Sequence, residues 1–362
     1  MNKKEYFIGL MSGTSLDGVD VAYCEINANS CKLLHSKEYP FASELQEQIL
    51  SSISSSVTLQ SIGELDHKLA LLYAKSINLF LEEFKLNAKD ITAIGLHGQT
   101  LWHQPESSTP FSMQLGDANI VCSKTGIQTV ADFRRMDMAN GGQGAPFAPA
   151  FHKFAFSHLG SGICVLNIGG MANVTLLDET LRGWDSGCGN VLLDYWTRES
   201  LYKPYDVDGE YAKSGTLNHA LLNAMLEDKY FHKEPPKSTG REYFNAKWLD
   251  NILENFEPLN AKDIQRTLLE LTAQSISNDL KSKDIKTIIV CGGGAKNSFL
   301  MQRLKALNPA DVKHSNDVGI DGDALEAMAF AWLAYKRIHR ETVELKDVTG
   351  ATKNSLLGGV YG

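Results

Sequence analysis

The chain has no C-x-x-C pair. Its six cysteines, Cys24, Cys31, Cys122, Cys164, Cys188 and Cys291, are scattered through apolar segments of the 362 residues. That is the pattern of reduced structural thiols in a cytosol. Long hydrophobic runs are also missing. The longest, Ala327 to Tyr335, falls well short of the ~20 residues that span a bilayer. The opening "MNKKEYFIGLM" has too short an apolar run for a signal peptide. No basic block or aromatic-basic ladder occurs, and the net charge is −8, which argues against nucleic acid as a partner. A nucleotide is still allowed, because local N–H dipoles decide that contact. These absences point to a soluble, cytoplasmic protein that binds no membrane.

Apolar residues make up 43% of the chain, enough for two cores or one large one. Tyr6–Met11 and Val19–Ile26 read as a hairpin, with a third strand over 32–39. Leu65, Leu69, Leu72, Ile77 and Phe80 recur at helical spacing, which predicts an amphipathic helix over 62–84. "ITAIGLHGQT" reads as a buried strand running into a loop, and "IQTVADF" as another strand. "GICVLNIGGMANVTLLDE", residues 162–179, repeats the opening design of strand, glycine turn and strand. Two such hairpins suggest a duplicated unit. A helix over 263–280, a strand before "GGGAKN" and a helix over "DALEAMAFAWLAYKRIH" complete the alternation. The class is therefore α/β. The expected division is 1–127, joined by 341–362, and 128–340.

The hairpin turn "SGTSLDG" is longer than strand reversal needs. Its glycines allow close backbone approach, and its hydroxyls and N–H groups suit phosphate oxygens. No Gly-Lys-Ser/Thr follows, so it is not a Walker A loop. "CGGGAKN" leads from a strand into a helix and would set a ligand at the positive end of the helix dipole. Its spacing is not G-x-G-x-x-G. "GWDSGCGN" reads as a short loop in which Asp185 is either a general base or the cap of a helix starting near Val191. The residues alone favour the cap. "LHGQTLWHQP" carries His97, Gln99 and His103 at a strand end, where α/β proteins bind ligands, without metal-ligand spacing. "NGGQGAP" offers amides and bare backbone to a sugar.

In this order, "GTSLDG", "HGQT", "NGGQGAP", "NIGGMAN", "WDSGCGN" and "GGGAKN" resemble the anhydro-N-acetylmuramic acid kinases, which serve bacterial peptidoglycan recycling. The resemblance covers nearly the whole chain. It implies the actin, hexokinase and heat-shock-chaperone fold: two ribonuclease-H-like domains flanking an ATP and substrate cleft. It implies ATP and Mg²⁺ as cofactors, a small sugar as substrate, and it allows a homodimer. Ser12, Gly13, Thr14, Ser15, Leu16, Asp17, Gly18 and Val19 would hold the phosphates, opposed by Asn167, Gly169 and Gly170. Gly292, Gly293, Gly294 and Asn297 would lie beside the adenosine.

Asp185 matches the family's catalytic aspartate, which reverses the preference for a cap. It would activate a water that attacks the anomeric carbon of the 1,6-anhydro sugar while O6 takes the γ-phosphoryl group. His97, Gln99, Arg134, Gly142, Gln143 and Glu326 are the candidates for the sugar. Arg134 has a second reading as the ion-pair partner of Asp132 or Asp137. Glu326 has one in a capping box with Asp323. Met11 stands where sugar kinases of this superfamily carry an aspartate. The metal ligands are therefore unassigned, with Asp17 as the substitute.

Overall fold

The structure, a computed structural model, describes residues 4–13, 16, 18–178, 180–235 and 237–362. The chain divides into two compact units, Met1–Ala155 with Ala324–Gly362, and Phe156–Asp323.

In the first unit, β1 (Glu5–Ser12), β2 (Gly18–Asn27) and β3 (Ser30–Pro40) form an antiparallel meander. β4 (Ile91–Leu96) pairs with β1 in parallel. A small separate sheet holds β5 (Gln99–Gln104) and β6 (Phe111–Leu115). β7 (Thr129–Ala131) lies parallel to β4. In the second unit, β8 (Ile163–Ile168), β9 (Met171–Leu177) and β10 (Leu181–Cys188) form another antiparallel meander. There β11 (Thr287–Cys291) and β12 (Asp311–His314) extend it in parallel from β8. β13 (Gly359–Tyr361) closes the edge of the first sheet against β7.

The sheet orders are thus β3-β2-β1-β4-β7-β13 and β10-β9-β8-β11-β12. Leaving out β13, both follow one ribonuclease-H-like plan of three antiparallel strands and two parallel additions. The echo between the two hairpins reflects this duplication. Each sheet buries its own apolar cluster, and the central strands β1, β4, β8 and β11 are buried almost throughout. Among the described residues, no helix is long and apolar enough to cross a membrane, and no cysteine forms a disulfide.

The unit boundaries differ from the expected 127/128 and 340/341. β7 belongs to the first sheet through its pairing with β4. Helix Leu325–Ile338 belongs there too. Gly9 and Gly95 are register partners on β1 and β4. A Cβ on either would run into the helix backbone, at Ala327 O and Phe330 O respectively. Two facing glycines therefore let the helix lie directly on the sheet, a long-range fit that local periodicity does not reveal.

Candidate active site

In the first unit, the carboxyl ends of the parallel neighbours β1 and β4 carry the long turn and the His97–Gln99 segment, the edge where α/β sheets bind ligands. A pocket of about 210 Å³ opens beside them, lined among others by Leu96, His97, Gly116, Ala131 and Asp132. Thr14, Ser15 and Asp17 lie outside the described residues. Gly13 O accepts from Leu16 N (3.3 Å), and Leu16 is left-handed at φ 60°. Gln46 Nε2 fixes Leu16 O at 2.7 Å. Ser12 is buried, its hydroxyl 2.9 Å from that of Tyr73, so this serine braces the turn from inside. Gly18 and Val19 open β2, and the buried Val19 has only backbone to offer. Gln99 lies beneath the turn, donating to Gly13 O at 3.3 Å, with its own Oε1 buried and unpartnered among the described residues.

His97 is buried, and its Nε2 lies 2.8 Å from Arg134 Nη2. Arginine has no acceptor, so Nε2 accepts and the ring proton sits on Nδ1. Burial first, and the Arg134 charge second, hold the ring well below the usual histidine range, weakly opposed by the backbone at Gly98 and Ser12. The ring is neutral and orients Arg134; its Nε2 is not left for sugar hydroxyls. His103, farther along β5, bonds Ser112 Oγ at 3.0 Å.

Arg134 also donates to Gly144 O at 2.8 Å and stacks on Phe147. Its Nε is buried and has no partner among the described residues. Burial lowers its pKa to about 10, and Glu326 opposes the fall. It remains a cation at neutral pH. Neither alternative ion pair forms. Asp132 faces Arg135 at 3.5 Å, and Asp137 accepts from Gly144 N (2.8 Å) and Thr349 Oγ1 (2.9 Å). Asp137 thereby shapes the loop that carries Gly142 and Gln143. Gly142 is buried, and Gln143 is exposed, reaching Glu106 at 3.4 Å.

The capping box is absent. Helix Leu325–Ile338 starts after Ala324 without a side-chain cap, and Asp323 pairs with Lys296 at 2.8 Å. Glu326 is consequently free of a capping role. It is solvent-accessible yet ringed by protein, and that crowding raises its pKa against the pull of Arg134.

The second unit repeats the layout. Turns 167–170 and 292–294 follow the carboxyl ends of the parallel neighbours β8 and β11. They interlock: a Cβ on Gly292 would strike Asn167 Oδ1, and one on Gly294 the Ile168 side chain. Gly169 O and Gly170 O accept from Asn190 N (2.8 Å) and Gly189 N (2.9 Å), which seats this turn on the end of β10. The N-terminus of helix Ser298–Leu307 is not open to a ligand. Gly293 and Gly294 belong to a 3₁₀ turn, Gly293–Lys296, that precedes this helix, and Asn297 Oδ1 and Asp208 Oδ1 already cap Leu300 N and Ser298 N.

Asp185 is on a strand, not in a loop, and it caps no helix; helix Val191–Leu201 begins after Asn190. It sits at a bulge of β10, directly opposite Asn173 of β9, which in turn faces Asn167 of β8. Asn173 Nδ2 donates to Oδ1 of the half-buried carboxylate. Ser238 Oγ (2.8 Å) and Thr239 N (2.9 Å) donate to Oδ2. The backbone is pinned as well, Asp185 N to Lys237 O at 2.9 Å and Tyr230 OH to Asp185 O at 2.7 Å. A carboxylate has about four acceptor positions. Three are occupied, so one remains on Oδ1.

A family model described as anhydro-N-acetylmuramic acid kinase matches residues 5–362. The chain belongs to this family. Curated anhydro-N-acetylmuramic acid kinases of Sulfurimonas denitrificans and Sulfurovum sp. are 53% and 55% identical to it, over 99% and 100% of both chains. That of Pasteurella multocida is 48% identical over 98% of this chain and 96% of its own. As a member of the anhydro-N-acetylmuramic acid kinase family, the chain is a sugar kinase, and as such it uses ATP.

Several residues at the kinase's Asp185 escaped the sequence reading. Asn173 lies inside "NIGGMAN", but only the strand register shows it opposite Asp185. Ser238 and Thr239 come from residues 227–245, where no regular periodicity marks a function. Lys237 anchors that segment. Its buried ammonium is 2.9 Å from Asp279 and 5.3 Å from the Tyr230 ring centre, and Asp279 also accepts from Trp184 Nε1 at 2.9 Å. Among the described residues, no three His, Cys, Asp or Glu side chains cluster as a metal site.

Proposed function

We propose that the chain phosphorylates O6 of 1,6-anhydro-N-acetylmuramic acid while hydrolysing its anhydro bridge, giving N-acetylmuramic acid 6-phosphate and ADP in cytoplasmic peptidoglycan recycling. The observation that carries this reading is the Asp185 carboxylate. Three donors fix it on β10, across β9 from Asn167, and one acceptor position is left for a water. That water gives its proton to Asp185 and its oxygen to C1. The C1–O6 bond breaks, and the O6 electron pair attacks the γ-phosphorus of ATP. The bond from that phosphorus to the β–γ bridging oxygen breaks, and ADP leaves. Coupling the two steps avoids a free alkoxide.

Residues 12–19 of the first unit, and Asn167, Gly169, Gly170 and the 292–297 turn of the second, would bind ATP. Asn297 would contribute only its amide nitrogen or backbone, since its oxygen caps a helix. Backbone N–H groups suit the phosphates, and transfer needs mainly positioning and charge neutralisation. Arg134 would take the lactyl carboxylate of the sugar through its unpartnered Nε–H. Glu326, Gly142 and Gln143 would meet hydroxyl and acetamide groups. His97 and Gln99 would act through Arg134 and the long turn.

The test is ADP release with MgATP and either the anhydro sugar or N-acetylmuramic acid, for wild type and Asp185→Asn. Turnover confined to the anhydro sugar, and lowered ~10²–10⁴-fold by the substitution, is expected. Equal turnover of both sugars would leave an ordinary hexokinase-like reaction.

A further inference from the structure

Segment 227–245 does more than hold Asp185. Asp228 ties its two ends to the following helix, accepting from Tyr230 N (2.8 Å), Tyr243 OH (2.7 Å) and Trp248 Nε1 (2.9 Å). The rings of Tyr230, Phe231, Tyr243 and Phe244 pack against one another in edge-on and tilted pairs. Past Thr239, the chain turns at Gly240, whose carbonyl accepts from Tyr243 N and Phe244 N, both at 3.1 Å. Arg241 is therefore carried on a fixed backbone, two residues beyond a direct ligand of the Asp185 carboxylate.

Its side chain reaches the β8–β9 turn. A Cβ on Gly170 would lie 3.6 Å from both Nε and Nη2 of Arg241, within contact of the guanidinium. Glycine at 170 leaves that space open. Arg241 is exposed, and among the described residues its side chain makes no hydrogen bond or ion pair. Several other cations of this unit are engaged, among them Lys237 with Asp279, Lys296 with Asp323, and Arg266 and Arg303 with Glu270. An opposing charge nearby is Asp194, whose carboxyl burial pushes up to about 6 while Arg198 and Arg241 draw it down.

We propose that Arg241 is a catalytic residue whose guanidinium neutralises the phosphoryl group as it passes from ATP to the sugar. It rests on the reading that places the ATP phosphates at the Gly169–Gly170 turn. The planar N–H fork matches the equatorial oxygens of the transferring group. Arginines so used are worth ~10³–10⁵ in rate. The segment thereby couples two functions: Ser238 and Thr239 aim the base, and Arg241 meets the phosphate.

The test compares wild type, Arg241→Ala, Arg241→Lys and Asp185→Asn in steady-state turnover, with thermal melting as a control for folding. Binding of ADP alone, and of ADP with aluminium fluoride in the presence of sugar, is measured by calorimetry. For Arg241→Ala we expect kcat to fall at least ~10²-fold, KM for ATP to change less than tenfold, and melting to be unaltered. ADP should still bind, while the tighter fluoride complex is lost. Arg241→Lys should recover part of the rate. A kcat within threefold of wild type overturns the proposal. So does a loss of ADP affinity equal to that of the fluoride complex, which marks ground-state binding only. If Asp185→Asn is active and Arg241→Ala is not, water activation falls and this inference stands; the reverse overturns this inference alone.

Discussion

Lys237→Met tests whether a buried ion pair aims the Asp185 carboxylate, the proposed base. The side chains of Lys237 and Asp279 are 2% and 11% exposed and 2.9 Å apart. Removing one partner leaves the largely buried Asp279 carboxylate with Trp184 Nε1 as its one hydrogen-bond donor among the described residues. Breaking such a pair costs about 3–5 kcal/mol. At roughly 2–4 °C per kcal/mol for a unit of this size, the melting transition should fall by roughly 6–20 °C. Lys237 O also receives Asp185 N, and the next two residues donate to Oδ2. Loosening those charge-assisted bonds, each worth about 1.5–3 kcal/mol, should lower kcat ~10–100-fold at a temperature where the variant is folded. KM for ATP should hardly move. The double variant Lys237→Met/Asp279→Leu removes both charges, so stability should return to within about 1 kcal/mol of wild type, and kcat should partly follow. Melting curves and steady-state turnover of the singles and the double complete the cycle. An undiminished melting temperature for Lys237→Met would refute the anchoring. A lowered one with wild-type kcat would refute the link to Asp185.

Other consequences are equally direct. Arg134→Ala should lower kcat/KM for the anhydro sugar ~10–150-fold, the worth of a hydrogen-bonded charge. It should change little for 1,6-anhydro-N-acetylglucosamine, which has no lactyl carboxylate; equal losses on both sugars would contradict the assignment. Asp194 has its folded pKa raised from 3.8 to about 6. Its ionisation thus opposes folding increasingly from pH 3.8 to about 6, and by a constant amount above. Asp194→Asn should therefore raise the melting temperature at pH 7–8, by up to roughly 3 kcal/mol of stability, and leave it unchanged near pH 3.5. Gly9→Ala would push a methyl into the backbone of helix Leu325–Ile338. It should destabilise the first unit by at least about 1–3 kcal/mol, read by chemical denaturation.

Much of the fold is local enough to read from residue order. The apolar spacing over 62–84 becomes helix Leu59–Glu83, and that over 263–280 becomes helix Ala261–Leu280. Both glycine-centred hairpins form, and each opens a sheet of the same order. The misreadings come from contacts distant in sequence. β10 carries Gly183 and Gly187 and a bulge, so it looks like a loop until its pairing with β9 is known. Gly187 leaves the space into which the Phe231 ring packs, a tertiary reason for a glycine within a strand. Asp323 looks like a cap because Glu326 follows three residues later, but Lys296 takes its carboxylate. Family motifs pointed to Asp185 and to the glycine turns. The donors that orient Asp185 lie on a neighbouring strand and on an irregular segment more than fifty residues away, and no local pattern connects them.

The most direct test of coupled ring opening follows the oxygen. A single turnover of anhydro sugar and MgATP in ¹⁸O-labelled water, quenched before the product anomers exchange with solvent, should place one label on the C1 hydroxyl. None should appear on the transferred phosphoryl group. Label on phosphorus, or none on the sugar, would contradict attack of an Asp185-activated water at C1.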